Sequence, residues 1–165
     1  MKKKRKRGHK GKKVKKERAV IIIKPDAIKK KLISRILFRF EKNGLRIVAL
    51  KMTKLKKRAI ERVYFHLKAK LNSKLFNAIC NWMCSEPVIV GAIEGANVIK
   101  KAKKIVGPTN PVEAYRGTIR GDFSRDDMIK RARMNLPVRN IIHVSSTKTE
   151  ARKELMLFRN LLKIK

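Results

Sequence analysis

The sequence predicts an α+β fold of the ferredoxin-like, split β-α-β kind: a four-stranded antiparallel sheet covered by helices. Three observations carry that expectation. Short apolar runs of strand length alternate with stretches whose apolar residues recur at helical spacing, in the order β-α-β-α-β-α-β with paired helices after the second strand. The length, 165 residues, suits one compact domain with one proper core. Hydrophobic residues make up 43% of the chain, far above what a chain too polar to collapse would show.

The elements follow in order. Residues 1–16 hold eleven of the 46 Lys and Arg and no acid, so self-repulsion and lack of apolar surface predict a disordered basic tail ahead of a folded domain over 17–165. Ala19-Val20-Ile21-Ile22-Ile23 is a β-branched run suited to a buried strand, which Lys24-Pro25-Asp26 stops. From Lys30 to Asn43, Leu32, Ile33, Ile36, Leu37 and Phe40 recur at helical spacing, and Gly44 closes the helix. A second strand is expected over Arg46–Met52, then helices near Lys57–Ala69 and Ser73–Cys84, a third strand over Pro87–Glu94 and a helix over Ala96–Ile105. Gly, Pro, Thr and Asn mark Pro108–Phe123 as an ordered loop of functional length. Asn140–Ser145 gives the last strand, and Thr147-Lys148-Thr149-Glu150 reads as a capping box ahead of a helix to about Leu161.

The formal net charge is +34, of which +23 remains when the tail is set aside, so the folded body itself should keep polyanionic company: nucleotides, nucleic acid or ribosomes. No apolar run approaches the roughly 20 residues that cross a bilayer, and no signal-peptide segment follows the basic start. No membrane partner and a cytoplasmic location are therefore expected. Cys80 and Cys84, four apart in a helical pattern, read as free thiols rather than a disulfide or metal framework.

Three features rise above background as chemistry. In Gly117-Thr118-Ile119-Arg120-Gly121-Asp122-Phe123, glycines flank an arginine and permit the turns that bring it close to a ligand; a structural ion pair and a phosphate clamp both fit it. His143 ends an apolar strand just before a helix N-terminus, a place that favours anion chemistry, and Glu154 lies on that helix as a candidate orienter. A solitary histidine there also suits a purely structural bond. Lys24, directly after the first strand, puts a point charge on a flexible stem near that end of the sheet, where solvated surface is the plainer reading among 46 basic residues.

Taken together, the segment Glu17 to Asp26, Gly107-Pro108-Thr109-Asn110-Pro111, Arg116 to Phe123 and Asn140-Ile141-Ile142-His143 stand in the order and near the spacing of the nucleoside diphosphate kinase family, which the chain resembles from Glu17 to about Phe158. The resemblance implies ping-pong transfer of the γ-phosphate of a nucleoside triphosphate, ATP for instance, to a nucleoside diphosphate through a phosphohistidine on His143. It further implies that Glu154 and Ser145 orient that imidazole, and that Lys24, Tyr64, Thr109 and Arg120 surround the phosphates. Asn140 would contact sugar and phosphates, and Mg²⁺ would ride in on the nucleotide, with no metal site on the protein itself. A homo-oligomer, hexamer or tetramer, is implied as well.

The chain departs from the family pattern in four places. Leu75, counted back from Pro87, stands where the family stacks a Phe on the base. Lys103 replaces a phosphate-contacting Arg, keeping the charge and losing the fork. Val144-Ser145-Ser146 stands in place of Gly-Ser-Asp, and residues 124–139 form an insertion with a helical turn or two expected over Arg125–Arg133. The charge also admits a second class of function, a nucleic-acid- or ribosome-binding protein that uses the same fold with reduced or no catalysis, gripping non-specifically through the tail.

Overall fold

A computed structural model describes residues 17–164. The basic tail expected over 1–16 lies outside the described residues. Four strands form one antiparallel sheet, β1 (Glu17–Ile23), β2 (Arg46–Thr53), β3 (Val88–Gly95) and β4 (Ile142–Val144), in the spatial order β2-β3-β1-β4. This is the split β-α-β arrangement that the alternation of periods predicts.

The β-branched run works because β1 is central and covered on both faces. Ala19, Ile21 and Ile23 point into one core with Ile36 and Phe40 of α2 (Ile33–Lys42) and Val98, Ala102 and Val106 of α5 (Val98–Val106). Val20 and Ile22 point into the other, with Ile60 of α3 (Lys57–Val63), Phe76, Cys80 and Met83 of α4 (Ser73–Ser85) and Phe158 and Leu162 of α8 (Lys148–Leu162). Each fully buried Ile is worth about 1.5–3 kcal/mol relative to exposure, so β1 anchors both layers. Gly91 lets β2 close on β3, because a Cβ there would sit 2.7 Å from Leu50 Cδ2. Both cysteines are free, Cys80 buried and Cys84 half-buried, and burial pushes the Cys80 thiol up to about 11.

Several boundaries differ from the sequence expectation. Pro25 does not simply stop the first strand: it occupies the first turn of a short helix α1 (Pro25–Lys29), where its missing N–H costs nothing. Lys31, at φ +56°, separates α1 from α2, so the helix expected from Lys30 starts at Ile33. The helix expected to reach Ala69 ends at Val63, followed by a 3-10 turn over Phe65–Leu67. The loop after Gly107 contains a 3-10 turn over Pro111–Glu113 and a helix α6 (Ile119–Phe123). The inserted segment holds α7 (Met128–Arg133), capped by Asp127 Oδ1, which accepts from the amides of Ile129 and Lys130. At α8, Thr147 Oγ1 accepts from the Glu150 amide, while Glu150 reaches back to the amide of Ser146 rather than of Thr147.

The last strand is three residues instead of six, for a reason that matters below. Ile141 has φ +72°, which takes Asn140 out of the ladder. A β-branched residue in that region is a strained outlier.

Candidate active site

Two ends of the central strands build the site. Where β1 stops, the Lys24 amide donates to the Ile141 carbonyl at 2.9 Å, and Asp26 Oδ2 accepts from the Ile141 amide at 3.0 Å. Both polar groups of Ile141 are thus held by the Lys24-Pro25-Asp26 turn. That pair of bonds offsets strain of about 1–3 kcal/mol and sets where the next two residues, Ile142 and His143, emerge.

His143, 8% exposed, pairs across the sheet with Ile22. Its Nε2 lies 2.8 Å from Glu154 Oε1. The other oxygen, Oε2, accepts from Ser145 Oγ at 2.5 Å, and Ser145 Oγ in turn accepts from the Val20 amide at 3.0 Å. The imidazole is therefore tied through Glu154 and Ser145 to the backbone of β1. On its other side the Tyr64 ring stands edge-on, with centroids 5.6 Å apart at 75°. The Tyr64 hydroxyl is buried and has no partner, and burial raises its pKa. A buried donor without an acceptor is costly, and this one is free to donate to an oxygen in the cleft.

Two cations lie beside this ring system. Arg120 is buried, yet its guanidinium donates to three backbone carbonyls: Nε to Asn140 at 3.1 Å, Nη1 to Gly107 at 2.9 Å and Nη2 to Ile142 at 2.8 Å. Burial lowers its pKa to about 10, against the opposing pull of Tyr64 and Asp26. A guanidinium has five N–H donors, so two remain for a ligand. The Lys24 ammonium donates to Asn140 Oδ1 at 2.5 Å and lies 5.8 Å from the ring centroids of both Tyr64 and Trp82. Burial, then the Arg120 charge, lower its pKa to about 7, although Asp26 raises it. Asn140 closes the ring of contacts by donating from Nδ2 to the Thr109 carbonyl at 2.9 Å.

The flanking glycines place Arg120. Gly121 lies so close to the preceding loop that a Cβ would stand 2.0 Å from the Tyr115 carbonyl oxygen, and Gly117 has φ +87°. Thr118 caps the short helix by accepting from the Gly121 amide at 3.1 Å.

All of this opens on a cleft of about 950 Å³, at the upper end of small-molecule sites. Lys24, Tyr64, Lys103, Thr109, Arg120, Asn140 and His143 line it, while Ser145 and Glu154 stand behind the histidine. Leu75 is not brought here: it lies in the first turn of α4, buried, with its amide donating to Asn72 Oδ1, and the aliphatic side chains that line the cleft include Leu67, Ile105 and Val144. Sequence reasoning also passed over Asp26, Trp82, His66, Tyr115 and the lining cations Arg39, Lys101, Lys104 and Arg116. Nothing marks Arg39, Lys101 and Lys104 among 46 basic residues, and Arg116 is marked only as the first residue of the segment Arg116 to Phe123; for Leu67 the only signal is its place three residues after Tyr64.

No Asp or Glu lines the cleft, and among the described residues no group of three or more His, Cys, Asp or Glu stands ready for a metal. The neutral oxygens of Tyr64, Thr109, Asn140 and Ser146 fit a hydrated Mg²⁺ that arrives on phosphate oxygens better than a resident ion.

A buried imidazole with one nitrogen engaged, facing a cleft of cations and the unpartnered Tyr64 hydroxyl on a split β-α-β sheet, defines the class: a phosphate-handling α+β protein. Residues 17–163 match the family model described as nucleoside diphosphate kinase. A nucleoside diphosphate kinase of Methanocaldococcus jannaschii is 43% identical over 143 residues, covering 87% of this chain and 93% of that protein. Among solved structures, a transition-state mimic of the Borrelia burgdorferi nucleoside-diphosphate kinase with bound vanadate and ADP superposes with a TM-score of 0.82 at 28% identity, over 87% of this chain and 86% of that one. An NDP kinase from Pyrobaculum aerophilum gives 0.80 at 31% identity, over 92% and 100%. The chain belongs to the nucleoside diphosphate kinase family, a family of phosphotransferases.

Proposed function

We propose that this chain moves the γ-phosphate of a nucleoside triphosphate to a nucleoside diphosphate through Nδ1 of His143. One observation carries the choice of atom. Nε2 is engaged with Glu154, and a carboxylate only accepts, so the proton of the neutral ring sits on Nε2 and the lone pair on Nδ1. Nδ1 attacks the γ-phosphorus; the bond from that phosphorus to the bridging oxygen breaks, and the diphosphate leaves with the electron pair. An acceptor diphosphate oxygen then attacks the phosphoryl group and returns the ring to its first state. Glu154, steadied by Ser145, stabilises the positive charge that grows on the ring as the N–P bond forms.

Around the phosphoryl oxygens, electrostatics and position do most of the work. Lys24, the two spare donors of Arg120, the Tyr64 hydroxyl and Thr109 supply them, and Lys103 adds a point charge at the cleft wall. Asn140, bonded to Lys24, is within the same cluster for the sugar and phosphates. Bound Mg²⁺ would screen charge between the phosphates. The vanadate and ADP bound by the Borrelia protein support a nucleotide in this cleft.

The partners follow from the same reading. Edge strand β2 exposes Leu50 and Met52, and Phe38 of the adjoining α2 is exposed. Such an edge favours a homo-oligomer over a free monomer. Non-specific nucleic-acid binding rests on residues 1–16, and deleting them should weaken retention of DNA or RNA at low salt while leaving phosphoryl transfer intact.

The function is tested with [γ-³²P]ATP. Wild type should acquire an acid-labile, alkali-stable label and pass it to added diphosphates, and His143→Ala should lose both by at least ~10³-fold. A labelled, fully active H143A protein would overturn the assignment.

A further inference from the structure

A second groove of about 420 Å³ adjoins the cleft, and Lys103 and Ser146 line both. Helix α5 is the ridge between them: Lys101 and Lys104 face the cleft, and Lys100 faces the groove, which runs on to Thr147 and Lys148 at the start of α8.

This ridge is charged in a way that folding does not explain. Lys100 and Lys101 occupy the first turn of α5, where the positive end of the helix dipole disfavours cations. Lys100 stacks over Lys103 and Lys104, and Lys101 over Lys104, so the face repeats like-charge neighbours at i+3 and i+4, each costing about 0.2–0.5 kcal/mol. Among the described residues, no acid pairs with any of these four lysines or with Arg116 across the cleft. The groove's single acid, Glu17, is bonded to Lys148 at 2.6 Å. A triphosphate bound at Lys24 and Arg120 leaves most of that charge uncompensated.

A long anion that spans cleft and groove would supply the counter-charge. Grips on single-stranded nucleic acid combine a cationic groove with aromatic platforms, and the groove beyond Lys103 has no aromatic residue. We propose that linear inorganic polyphosphate is a second phosphoryl donor, its chain lying along α5 from the start of α8 and its end group reaching His143. The inference rests on the phosphohistidine reading above. The step balances: the Nδ1–P bond forms, the terminal P–O–P bridge breaks with its electron pair kept by the departing chain, and that chain is one phosphoryl shorter. The phosphoryl group then passes to a nucleoside diphosphate. Each internal phosphoryl carries a negative charge, so beyond Lys103 the chain would feel Lys100 and Lys148, which the neutral nucleoside of ATP would not.

The test supplies linear polyphosphate as sole donor with a nucleoside diphosphate and the full-length chain, beside a parallel reaction with ATP. Triphosphate should form from both donors, and H143A should abolish both. In the double variant Lys100→Gln with Lys148→Gln, outside the nucleotide cleft, the polyphosphate-dependent rate should fall about tenfold while the ATP-dependent rate stays within about twofold. Activity with ATP and none with polyphosphate overturns the proposal alone. Failure with both donors overturns the phosphohistidine reading and this proposal with it. Equal losses with both donors in the double variant, or a single-stranded oligonucleotide whose retention depends on Lys100 and Lys148 while polyphosphate donates nothing, would also sink it.

Discussion

Two sets of cations line the same cleft and are held in opposite ways. Lys24 and Arg120 are buried, and each polar atom pointing inward has a named partner: Asn140 for the lysine, three backbone carbonyls for the arginine. The lysines of α5 stand exposed, with no carboxylate beside them. The first set is positioned by the fold and fixes geometry; the second contributes field without position. A buried cation costs desolvation that only excellent hydrogen bonding repays, so its substitution should be felt in both stability and chemistry. An exposed one is screened and mobile.

Arg120→Lys should break that contrast most severely. An ammonium cannot span three carbonyls with the guanidinium's planar fork, and at least two backbone acceptors lose a charged donor. Stability should drop by about 3 kcal/mol, read as a lower urea midpoint, and phosphoryl transfer by at least ~10²-fold in the coupled assay. A variant with unchanged stability would mean that the three bonds are incidental.

Gly121→Ala attacks the same arginine through its backbone. The added Cβ meets the Tyr115 carbonyl oxygen at 2.0 Å and the Ala114 oxygen at 2.7 Å, neither of which can swing aside like a flexible side chain. A loss of about 3 kcal/mol or more is expected, at the top of the range for overpacking. Gly117→Ala, where nothing lies within 4 Å but φ is +87°, should cost only about 1–2 kcal/mol. Equal costs at the two glycines would show that close approach at Gly121 is not what places Arg120.

Lys24 sharpens the comparison through pH. Its pKa falls from 10.5 to about 7 in the fold, chiefly by burial. Below about 7 the ammonium is present in folded and unfolded chains, and its burial cost is carried in full. As pH rises toward 10.5 the unfolded chain holds the extra proton and that cost is relieved, so stability from this group increases across the window. A polyanionic ligand favours the ammonium. Nucleotide binding at pH 8 should therefore take up to about one proton from buffer, and little at pH 6. Calorimetry in buffers of different ionisation enthalpy measures it, and Lys24→Arg should erase it. Uptake that persists in K24R would assign the proton to another group.

How much of this was legible follows the same division. Buried strands and helical faces announce themselves by period, and the motifs around Lys24, Arg120 and His143 by order, so the sheet and most of the cleft were readable. Positive φ at Ile141 was not, because nothing in Asn140-Ile141-Ile142 marks a β-branched residue for strain. It depends on bonds from Lys24 and Asp26, more than a hundred residues away in sequence. Counting back from Pro87 along α4 reaches Leu75, whose side chain is buried in the fold, while Leu67 of the 3-10 turn at Phe65–Leu67, before that helix, lines the cleft. The α5 lysines were visible as letters, but their common ridge appears only when two cavities are seen to share Lys103.

The smallest effect is expected at Lys101, and its sign is the informative part. Replacing it with Gln removes a cation from the first turn of α5 and one like-charge contact with Lys104. Both changes favour the helix by a few tenths of a kcal/mol each, so Lys101→Gln should raise the urea midpoint slightly at low salt, with the gain fading as salt screens the ridge. An arginine or lysine held for folding would behave in the opposite way, as Arg120 should. A destabilised K101Q protein would give Lys101 an internal partner, erase the difference between the two sets of cations, and leave the ridge as part of the fold rather than a surface for anions.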